Sequence, residues 1–177
     1  MKLVILDRDG TINHDSEDFI KSPNEWRPIE GSLEAIARLA QAGYRIVVAT
    51  NQSGIARGFF DTATLVAIHD TLQRAAMQAG GRIDAFFFCP HAADSACACR
   101  KPQPGMLLEV ARRFNVSLED VFMVGDSRKD LEAAAAAGAR PVLVLTGNGA
   151  KTEKEGKLPR GTAVYPDLAA FARQLAP

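Results

Sequence analysis

Residues 3–11 read Leu-Val-Ile-Leu-Asp-Arg-Asp-Gly-Thr, an apolar run that ends in two aspartates at alternate positions, Asp7 and Asp9. Residues two apart on a strand point to the same side, so both carboxylates reach one small site beyond the strand's C-terminal end. Two carboxylates that close repel each other unless a cation lies between them or one of them holds a proton. The pattern therefore predicts a metal-assisted nucleophile with an acid/base partner, although an ordinary Asp/Gly turn has the same local sequence.

Apolar runs and helical patterns alternate along the rest of the chain. The predicted strands are residues 2–6, 44–49, 85–88, 121–124, 141–145 and 163–165. The predicted helices are residues 32–42, 62–79, 104–114, 128–137 and 167–175. Continuous apolar strands interleaved with helices indicate an α/β protein, with a Rossmann-like parallel sheet and helices on both faces, in a single domain over residues 1–177. The polar, glycine-bearing residues 147–161 are predicted to form a mobile surface loop.

Polar side chains follow three of the predicted strands. The three sets are Asp7 with Asp9, the run Thr50-Asn51-Gln52-Ser53, and the run Gly125-Asp126-Ser127. Ligands of open parallel sheets bind beyond the carboxyl ends of the strands. We therefore expect these side chains to meet in one catalytic site.

A third carboxylate, Asp126, completes a set of oxygen ligands that suits Mg²⁺. Asp130 lies four residues later and is expected to support this ligand set or to orient Lys101. Both aspartates also suit the N-terminus of a helix, so a purely structural interpretation stays open. Thr50 offers a hydroxyl and Asn51 a backbone N–H to phosphoryl oxygens, and Lys101 offers a positive charge. Together these groups neutralise the charge of a phosphoryl group in transfer.

All three cysteines of the chain lie close together in the sequence, beside one of its three histidines. The four residues are Cys89, His91, Cys97 and Cys99. Three thiolates and one imidazole form a common ligand set for tetrahedral structural zinc. A closed shell of four ligands leaves no water to activate, so Zn²⁺ is expected to pin the zinc loop, residues 89–101, which ends in Arg100 and Lys101. His14 and His69 are predicted to be ordinary surface or loop residues.

The composition is that of an ordinary globular protein. Of 177 residues, 47% are hydrophobic and 24% are charged, and 21 basic residues balance 21 acidic ones. This balance disfavours a general nucleic-acid binder. The N-terminus enters a strand at once and no apolar run reaches membrane-spanning length, so we expect a cytoplasmic protein with no membrane partner. No heptad pattern or large apolar stripe is evident, which makes a monomer the default expectation.

The motifs, taken in order, resemble those of the haloacid dehalogenase superfamily of phosphohydrolases. The matching residues are Asp7-Arg8-Asp9-Gly10-Thr11, Thr50-Asn51, Lys101, and Gly125-Asp126 with Asp130. The resemblance implies that Asp7 is a nucleophile that forms a phosphoaspartyl intermediate, and that Asp9 is the acid/base of both half-reactions. It implies that Mg²⁺ is held by Asp7, the Asp9 backbone carbonyl and Asp126. It also implies that Thr50 and Lys101 stabilise the phosphoryl group.

The connections between strands leave room for about one helix each, as parallel strands already require. The resemblance therefore implies a capless member of the superfamily, whose specificity comes from short loops. The run 15–18, Asp-Ser-Glu-Asp, departs from relatives, which often carry a glycine and an aromatic residue nearby.

Two longer runs, 50–58 and 89–102, narrow the resemblance to a heptose bisphosphate phosphatase family. That family removes the 7-phosphate of a heptose 1,7-bisphosphate in activated-heptose synthesis for lipopolysaccharide, so the implied substrate is a small phosphorylated sugar. The implied substrate contacts are Asn51, Gln52, Ser53 and Arg100. A histidinol-phosphate phosphatase family has similar motifs and is the nearest alternative. An alternative of another class is a noncatalytic phosphoacceptor or a zinc-stabilised binding module.

Overall fold

One parallel sheet of six strands organises the computed structural model, which describes all residues from Met1 to Pro177. The strands lie in the order β3-β2-β1-β4-β5-β6. In chain order the elements are β1 (Leu3–Leu6), α1 (Ser32–Gln41), β2 (Arg45–Asn51), α2 (Thr62–Gln78), β3 (Ala85–Cys89), α3 (Gly105–Phe114), β4 (Phe122–Gly125), α4 (Arg128–Ala137), β5 (Arg140–Val144), α5 (Gly149–Glu155), β6 (Ala163–Tyr165) and α6 (Leu168–Leu175). This topology confirms the predicted Rossmann-like sheet.

Alternate residues of the central strand β1 pack on opposite faces of the sheet. Val4 and Leu6 join a hydrophobic core with residues of α1, α2 and α6. Leu3 and Ile5 join a second core with residues of α3 and α4. All four side chains are buried, which explains why the strand is apolar throughout. Because β1 lies between β2 and β4, its C-terminal end opens into the middle of the carboxyl edge.

The start of α4 fixes one of the predicted site residues. Asp130 Oδ2 accepts hydrogen bonds from the backbone N of Ser127 at 3.0 Å and from its Oγ at 2.7 Å. A Cβ on Gly125 would overlap the side chain of Asp130, so β4 and α4 approach closely here. The contacts that begin the helix therefore also set the position of the Asp130 carboxylate.

The prediction of a mobile loop at residues 147–161 is wrong, because Gly149–Glu155 form α5. Thr152 is buried, and its Oγ1 donates to the backbone carbonyl oxygen of Asp126 at 2.9 Å. A Cβ on Gly149 would overlap the carbonyl oxygen of Val144, so the helix packs directly on β5. Of the residues that suggested a loop, Gly149 and Thr152 are required by this close packing.

The connections between successive strands contain no inserted domain. Between β1 and β2, residues 7–31 form a loop with a 3-10 turn at Pro23–Glu25, and α1 follows. The connection from β2 to β3 contains α2 as its only helix. This agrees with the capless architecture expected from the sequence. No helix of the structure combines the length and the apolar character needed to span a membrane.

Candidate active site

A polar cleft with a volume of about 280 Å³ lies at the carboxyl edge of the sheet. Only two of its 16 lining residues are hydrophobic. Among the residues that the sequence placed at strand ends, those that line the cleft are Asp7, Asp9, Thr50, Asn51, Gln52 and Asp126. Arg100, Lys101 and Asp130 line the cleft as well, whereas Ser53 does not. The structure thus brings together residues from three strand ends, the zinc loop and α4.

Lys101 is buried between two carboxylates of the cleft. Its Nζ is 2.8 Å from Asp7 Oδ1 and 2.6 Å from Asp130 Oδ1. The same Nζ donates to the backbone carbonyl oxygen of Ala49 at 2.7 Å. Burial disfavours the charged ammonium, but the carboxylates of Asp130 and Asp7 outweigh it and raise the pKa of Lys101 above its ordinary value. A positive charge is therefore fixed beside the predicted nucleophile.

Asp126 is held by the turns that follow β1 and β5. Its Oδ2 accepts hydrogen bonds from the backbone N of Asn148 at 2.7 Å and from Asn148 Nδ2 at 3.2 Å. Gly10 has a φ of +81°, and a Cβ at this position would overlap the Asp126 carboxylate. Thr146 Oγ1 donates to the Gly10 carbonyl oxygen at 2.7 Å, which joins the two turns. The turn after β1 therefore needs glycine both for its conformation and for space.

The acidic centre, defined as Asp7, Asp126 and Asp130, holds more negative charge than its surroundings neutralise. Ligand atoms of the three residues lie within 4.8 Å of one another. Burial, together with the charge of Asp130, raises the pKa of Asp7 well above its usual range and raises that of Asp126 to about 7. One ammonium, that of Lys101, pairs with two of these carboxylates, those of Asp7 and Asp130. An additional cation therefore stabilises the centre, and the hard oxygen donors of Asp7 and Asp126 fit Mg²⁺.

Four N–H donors hold the carboxylate of Asp9. Oδ1 accepts from Arg8 Nε and Asn13 Nδ2, both at 2.9 Å. Oδ2 accepts from Arg8 Nη2 and Gln52 Nε2, both at 3.0 Å. Arg8 is fully buried beneath the cleft. Because each carboxylate oxygen receives two donors, Asp9 is held in a single orientation.

The prediction that His69 is a surface or loop residue is wrong, whereas His14 is exposed as expected. His69 is 6% exposed, and its ring stacks on Phe86 with the centroids 4.4 Å apart. Its Nε2 is 3.3 Å from Arg8 Nη1, and because arginine only donates, Nε2 accepts. Burial and the charge of Arg8 lower the pKa of His69 to about 3. Its position on the apolar stripe of α2 could have revealed this burial; the stripe is Leu65, Ile68, His69, Leu72 and Ala76.

Asp15, Ser16, Phe19 and Ile20 of the loop after β1 also line the cleft, and two further lining residues were missed by sequence reasoning. Asn148 lines the cleft and contacts Asp126, and the exposed Lys129 lines it from α4. The run Thr146-Gly147-Asn148 follows β5 at the same edge of the sheet, so the rule that identified the other strand ends also applies to it. For Lys129 the sequence offers no signal, because an exposed lysine on a helix is ordinary.

The two amide side chains at the end of β2, Asn51 and Gln52, have intramolecular partners. Gln52 is buried, and its Nε2 donates to Thr50 Oγ1 at 2.9 Å as well as to Asp9. The Asn51 side chain contacts the backbone of Lys101. Both residues line the cleft.

The cysteine cluster, defined as Cys89, His91, Cys97 and Cys99, forms as the sequence indicates. Cys89 Sγ is 3.4 Å from His91 Nδ1, 3.7 Å from Cys97 Sγ and 2.8 Å from Cys99 Sγ. All four ligand atoms lie within 4.8 Å of one another. Three sulfur donors and one nitrogen donor fit Zn²⁺. Since the cluster follows β3, it lies at the same edge of the sheet as the cleft and directly precedes Arg100 and Lys101.

Comparison with known proteins agrees with this geometry. The family model described as "HAD-hyrolase-like" matches residues 98–171. The chain is 62% identical to D-glycero-beta-D-manno-heptose-1,7-bisphosphate 7-phosphatase of Bordetella bronchiseptica over 175 residues, which cover 99% of this chain and 98% of that relative. It is 53% identical to the Pseudomonas putida protein of the same name over 175 residues, with 99% of each chain covered.

A solved structure matches equally closely. The crystal structure of D,D-heptose 1.7-bisphosphate phosphatase from B. bronchiseptica, complexed with magnesium and phosphate, has a TM-score of 0.97 and 62% identity, and the match covers 99% of this chain and 98% of that one. A crystal structure of the protein of the same name from Burkholderia thailandensis has a TM-score of 0.80 and 53% identity, covering 99% and 98%. The chain therefore belongs to the D-glycero-beta-D-manno-heptose-1,7-bisphosphate 7-phosphatase family of haloacid dehalogenase-like hydrolases.

Proposed function

We propose that this protein is a magnesium-dependent phosphatase that removes the 7-phosphate of D-glycero-D-manno-heptose 1,7-bisphosphate through a phosphoaspartyl intermediate. The observation that carries the chemistry is the Asp7 carboxylate in a polar cleft, 2.8 Å from the buried ammonium of Lys101. The relatives described above supply the identity of the sugar, and favour it over histidinol phosphate. The product serves activated-heptose synthesis for lipopolysaccharide.

Asp7 is the nucleophile. Its carboxylate attacks phosphorus, the bond from phosphorus to the sugar oxygen breaks, and an acyl phosphate forms on Asp7. Lys101 fixes the carboxylate before the attack through its contact with Oδ1. Lys101 and the hydroxyl of Thr50 then bind the phosphoryl oxygens, where negative charge gathers in the transition state. Water hydrolyses the acyl phosphate and regenerates Asp7.

Asp9 moves the protons of both half-reactions. It protonates the departing sugar oxygen and afterwards accepts a proton from the attacking water. All the contacts that hold its carboxylate come from N–H donors, two on each oxygen. A proton on Asp9 must take the place of one of these donors, so the carboxyl group turns out of this arrangement when it acts as the acid.

Magnesium belongs at the acidic centre, held by the carboxylates of Asp7 and Asp126 and by the backbone carbonyl of Asp9. When bound, it supplies the positive charge that allows a phosphate dianion to approach the Asp7 carboxylate. Asp130 uses Oδ1 for Lys101 and Oδ2 for Ser127, so it supports the centre through Lys101.

The rest of the cleft suits a substrate with a second phosphate. Arg100 and Lys129 line it, and they offer two positive charges beyond the buried Lys101. The loop after β1 contributes Asp15, Ser16 and Phe19, which can contact sugar hydroxyls and ring carbons. The balanced net charge supports the absence of a nucleic-acid partner. We further propose that the protein acts on a small phosphorylated sugar as a cytoplasmic monomer without membrane partners.

The test compares kcat/KM for phosphate release from both anomers of heptose 1,7-bisphosphate and from histidinol phosphate, with Mg²⁺ and with Asp7→Asn as the blank. Phosphorus NMR of the product identifies which phosphate leaves. We expect a heptose anomer to be preferred at least about a hundredfold, or about 2.7 kcal/mol of differential transition-state binding, with release from carbon 7. Faster release from histidinol phosphate would assign the protein to the other substrate class. No release from any of the three would revive a noncatalytic role.

A further inference from the structure

The carboxamide of Asn51 pairs with the backbone of the residue that supplies the cleft's buried ammonium. Asn51 Oδ1 accepts from the backbone N of Lys101 at 3.0 Å, and Asn51 Nδ2 donates to the Lys101 carbonyl oxygen at 3.0 Å. The two residues lie 50 positions apart in the chain. A side-chain amide that satisfies both backbone groups of one residue replaces the pairing that a neighbouring strand would give.

Lys101 is attached to β2 at a second point. Its Nζ donates to the Ala49 carbonyl oxygen at 2.7 Å, so the backbone and the ammonium of the same residue both bind β2. Thr50 lies between these two anchors and lines the cleft. The end of β2 therefore sets the position of Lys101 relative to Thr50.

From this geometry we propose that Asn51 is a positioning residue, which fixes Lys101 against Asp7 through its side chain. The inference rests on the proposed function, because it concerns the same phosphoryl-transfer site. It differs from the sequence-based expectation that Asn51 is a substrate contact: the backbone N–H of Asn51 stays available for a phosphoryl oxygen, while the side chain acts on Lys101.

The zinc loop by itself fixes Lys101 only from its N-terminal side, through the cysteine cluster. Cys99, the last ligand of the cysteine cluster, precedes Lys101 by two residues, and the lysine side chain has four rotatable bonds. Its ammonium nevertheless lies within 2.8 Å of Asp7 and 2.6 Å of Asp130. Small displacements of catalytic groups cost large factors in rate. Asn51 supplies the second anchor at Lys101 itself.

The test measures kcat and KM for phosphate release by Asn51→Ala and Asn51→Asp. The first change removes both hydrogen bonds. The second keeps the shape of the side chain and its contact with the Lys101 N–H but turns an oxygen toward the Lys101 carbonyl oxygen, so it tests the pairing through one hydrogen bond if the alanine variant fails to fold. We expect kcat to fall about tenfold in each variant, or ~1.4 kcal/mol of transition-state stabilisation, with KM within about twofold of the wild type.

The chain contains a matched control for this experiment. Gln73 Oε1 accepts from the backbone N of Ile83 at 2.9 Å, and Gln73 Nε2 donates to the Ile83 carbonyl oxygen at 3.1 Å. This is the same pairing of an amide with one backbone residue, and Gln73 does not line the active-site cleft. Gln73→Ala is therefore expected to keep the wild-type kcat even if it lowers the melting temperature.

Three results would overturn the inference. They are an unchanged kcat in both Asn51 variants, a raised KM with unchanged kcat, and an equal loss of kcat in Gln73→Ala. A raised KM alone would make the carboxamide a substrate contact. The wild type is measured in the same series, so an inactive wild type refutes the proposed function, whereas an active wild type with unaffected Asn51 variants refutes only the role of Asn51.

Discussion

The acidic centre and the cysteine cluster both bring ligand atoms close together but are built in opposite ways. In both sets the atoms lie within 4.8 Å of one another. The cysteine cluster draws all its ligands from residues 89–99, whereas the acidic centre joins Asp7 to Asp126 and Asp130. The cluster therefore depends on one short loop, but the acidic centre requires that β1, β4 and α4 are already assembled.

The two sets also differ in what they contribute to stability. Burial and mutual repulsion raise the pKa of Asp7 and Asp126, so the acidic centre carries an electrostatic cost that a bound cation relieves. The donor set of the cysteine cluster suits a structural zinc ion, whose binding stabilises a fold. We therefore expect that removing a carboxylate charge from the acidic centre abolishes activity without loss of stability, and that removing a cysteine ligand lowers both.

Asp7→Asn is the strongest test of this contrast. Turnover should fall by at least about a thousandfold, because the amide cannot form the acyl phosphate. The melting temperature without Mg²⁺ should equal or exceed that of the wild type, because one of three repelling carboxylates is gone while the shape remains. Phosphate release and thermal unfolding are measured on the same samples. Phosphate release at the wild-type rate would exclude Asp7 as the nucleophile.

Lys101→Met probes the buried cation that pairs with two carboxylates of the acidic centre. Removing the ammonium leaves Asp7 and Asp130 without their shared partner, so kcat should fall about a hundredfold. The free energy of unfolding should fall by about 3 kcal/mol, as expected when a buried ion pair loses one member. Denaturant unfolding without Mg²⁺ provides the measurement. A variant as stable as the wild type would show that Lys101 does not offset the repulsion.

Cys99→Ser tests the other side of the comparison. With one ligand of the cysteine cluster lost, zinc content, melting temperature and kcat should all decrease, because the loop that carries Lys101 is no longer pinned. Asp94→Asn serves as the control, since Asp94 is exposed in the same loop and is not part of the cluster. Metal analysis accompanies both measurements. Normal zinc content together with normal melting in Cys99→Ser would reject Cys99 as a ligand.

His69→Phe should have the smallest effect on kcat, because His69 is a buried group outside both ligand sets. The pKa of His69 is lowered to about 3 in the folded protein, so only the unfolded chain binds its proton between that value and the ordinary 6.5. Its contribution to the free energy of unfolding is therefore full above pH 6.5 and declines as the pH falls, by up to about 1.4 kcal/mol per pH unit. Phenylalanine keeps the stacking on Phe86 but does not titrate.

The measurement for His69 is denaturant unfolding of both proteins between about pH 7 and pH 4, the range in which the unfolded histidine takes up its proton. The stability of the wild type should fall more steeply with decreasing pH than that of His69→Phe. Equal slopes in the two proteins would mean that His69 is not held neutral in the folded state.

Local patterns were sufficient for the features that the sequence predicted correctly. Each of these features is determined by a short stretch of sequence. They are the apolar run of β1, the polar residues at the ends of β1, β2 and β4, and the closely spaced ligands of the cysteine cluster. The parallel sheet follows from the alternation of such runs with helices.

The features that sequence reasoning missed depend on partners far along the chain. The helix α5 is held by the contact of Thr152 with Asp126, and His69 is buried against Arg8 and Phe86. The pairing of Asn51 with Lys101 likewise appears only when β2 and the zinc loop are side by side. The hydrophobic periodicity of the sequence does not indicate such long-range contacts.

The absence of an inserted domain over the cleft affects which step limits the rate of turnover. In enzymes that close a lid over their substrate, the opening of the lid often limits the rate of turnover. Here no lid has to open, because β2 and the loops around it line a cleft at the open edge of the sheet. The bound substrate itself must then displace water from the cleft. We expect the chemical step or the release of the sugar to limit turnover. A truncated substrate is expected to react slowly, because it leaves water in the cleft around the acyl phosphate.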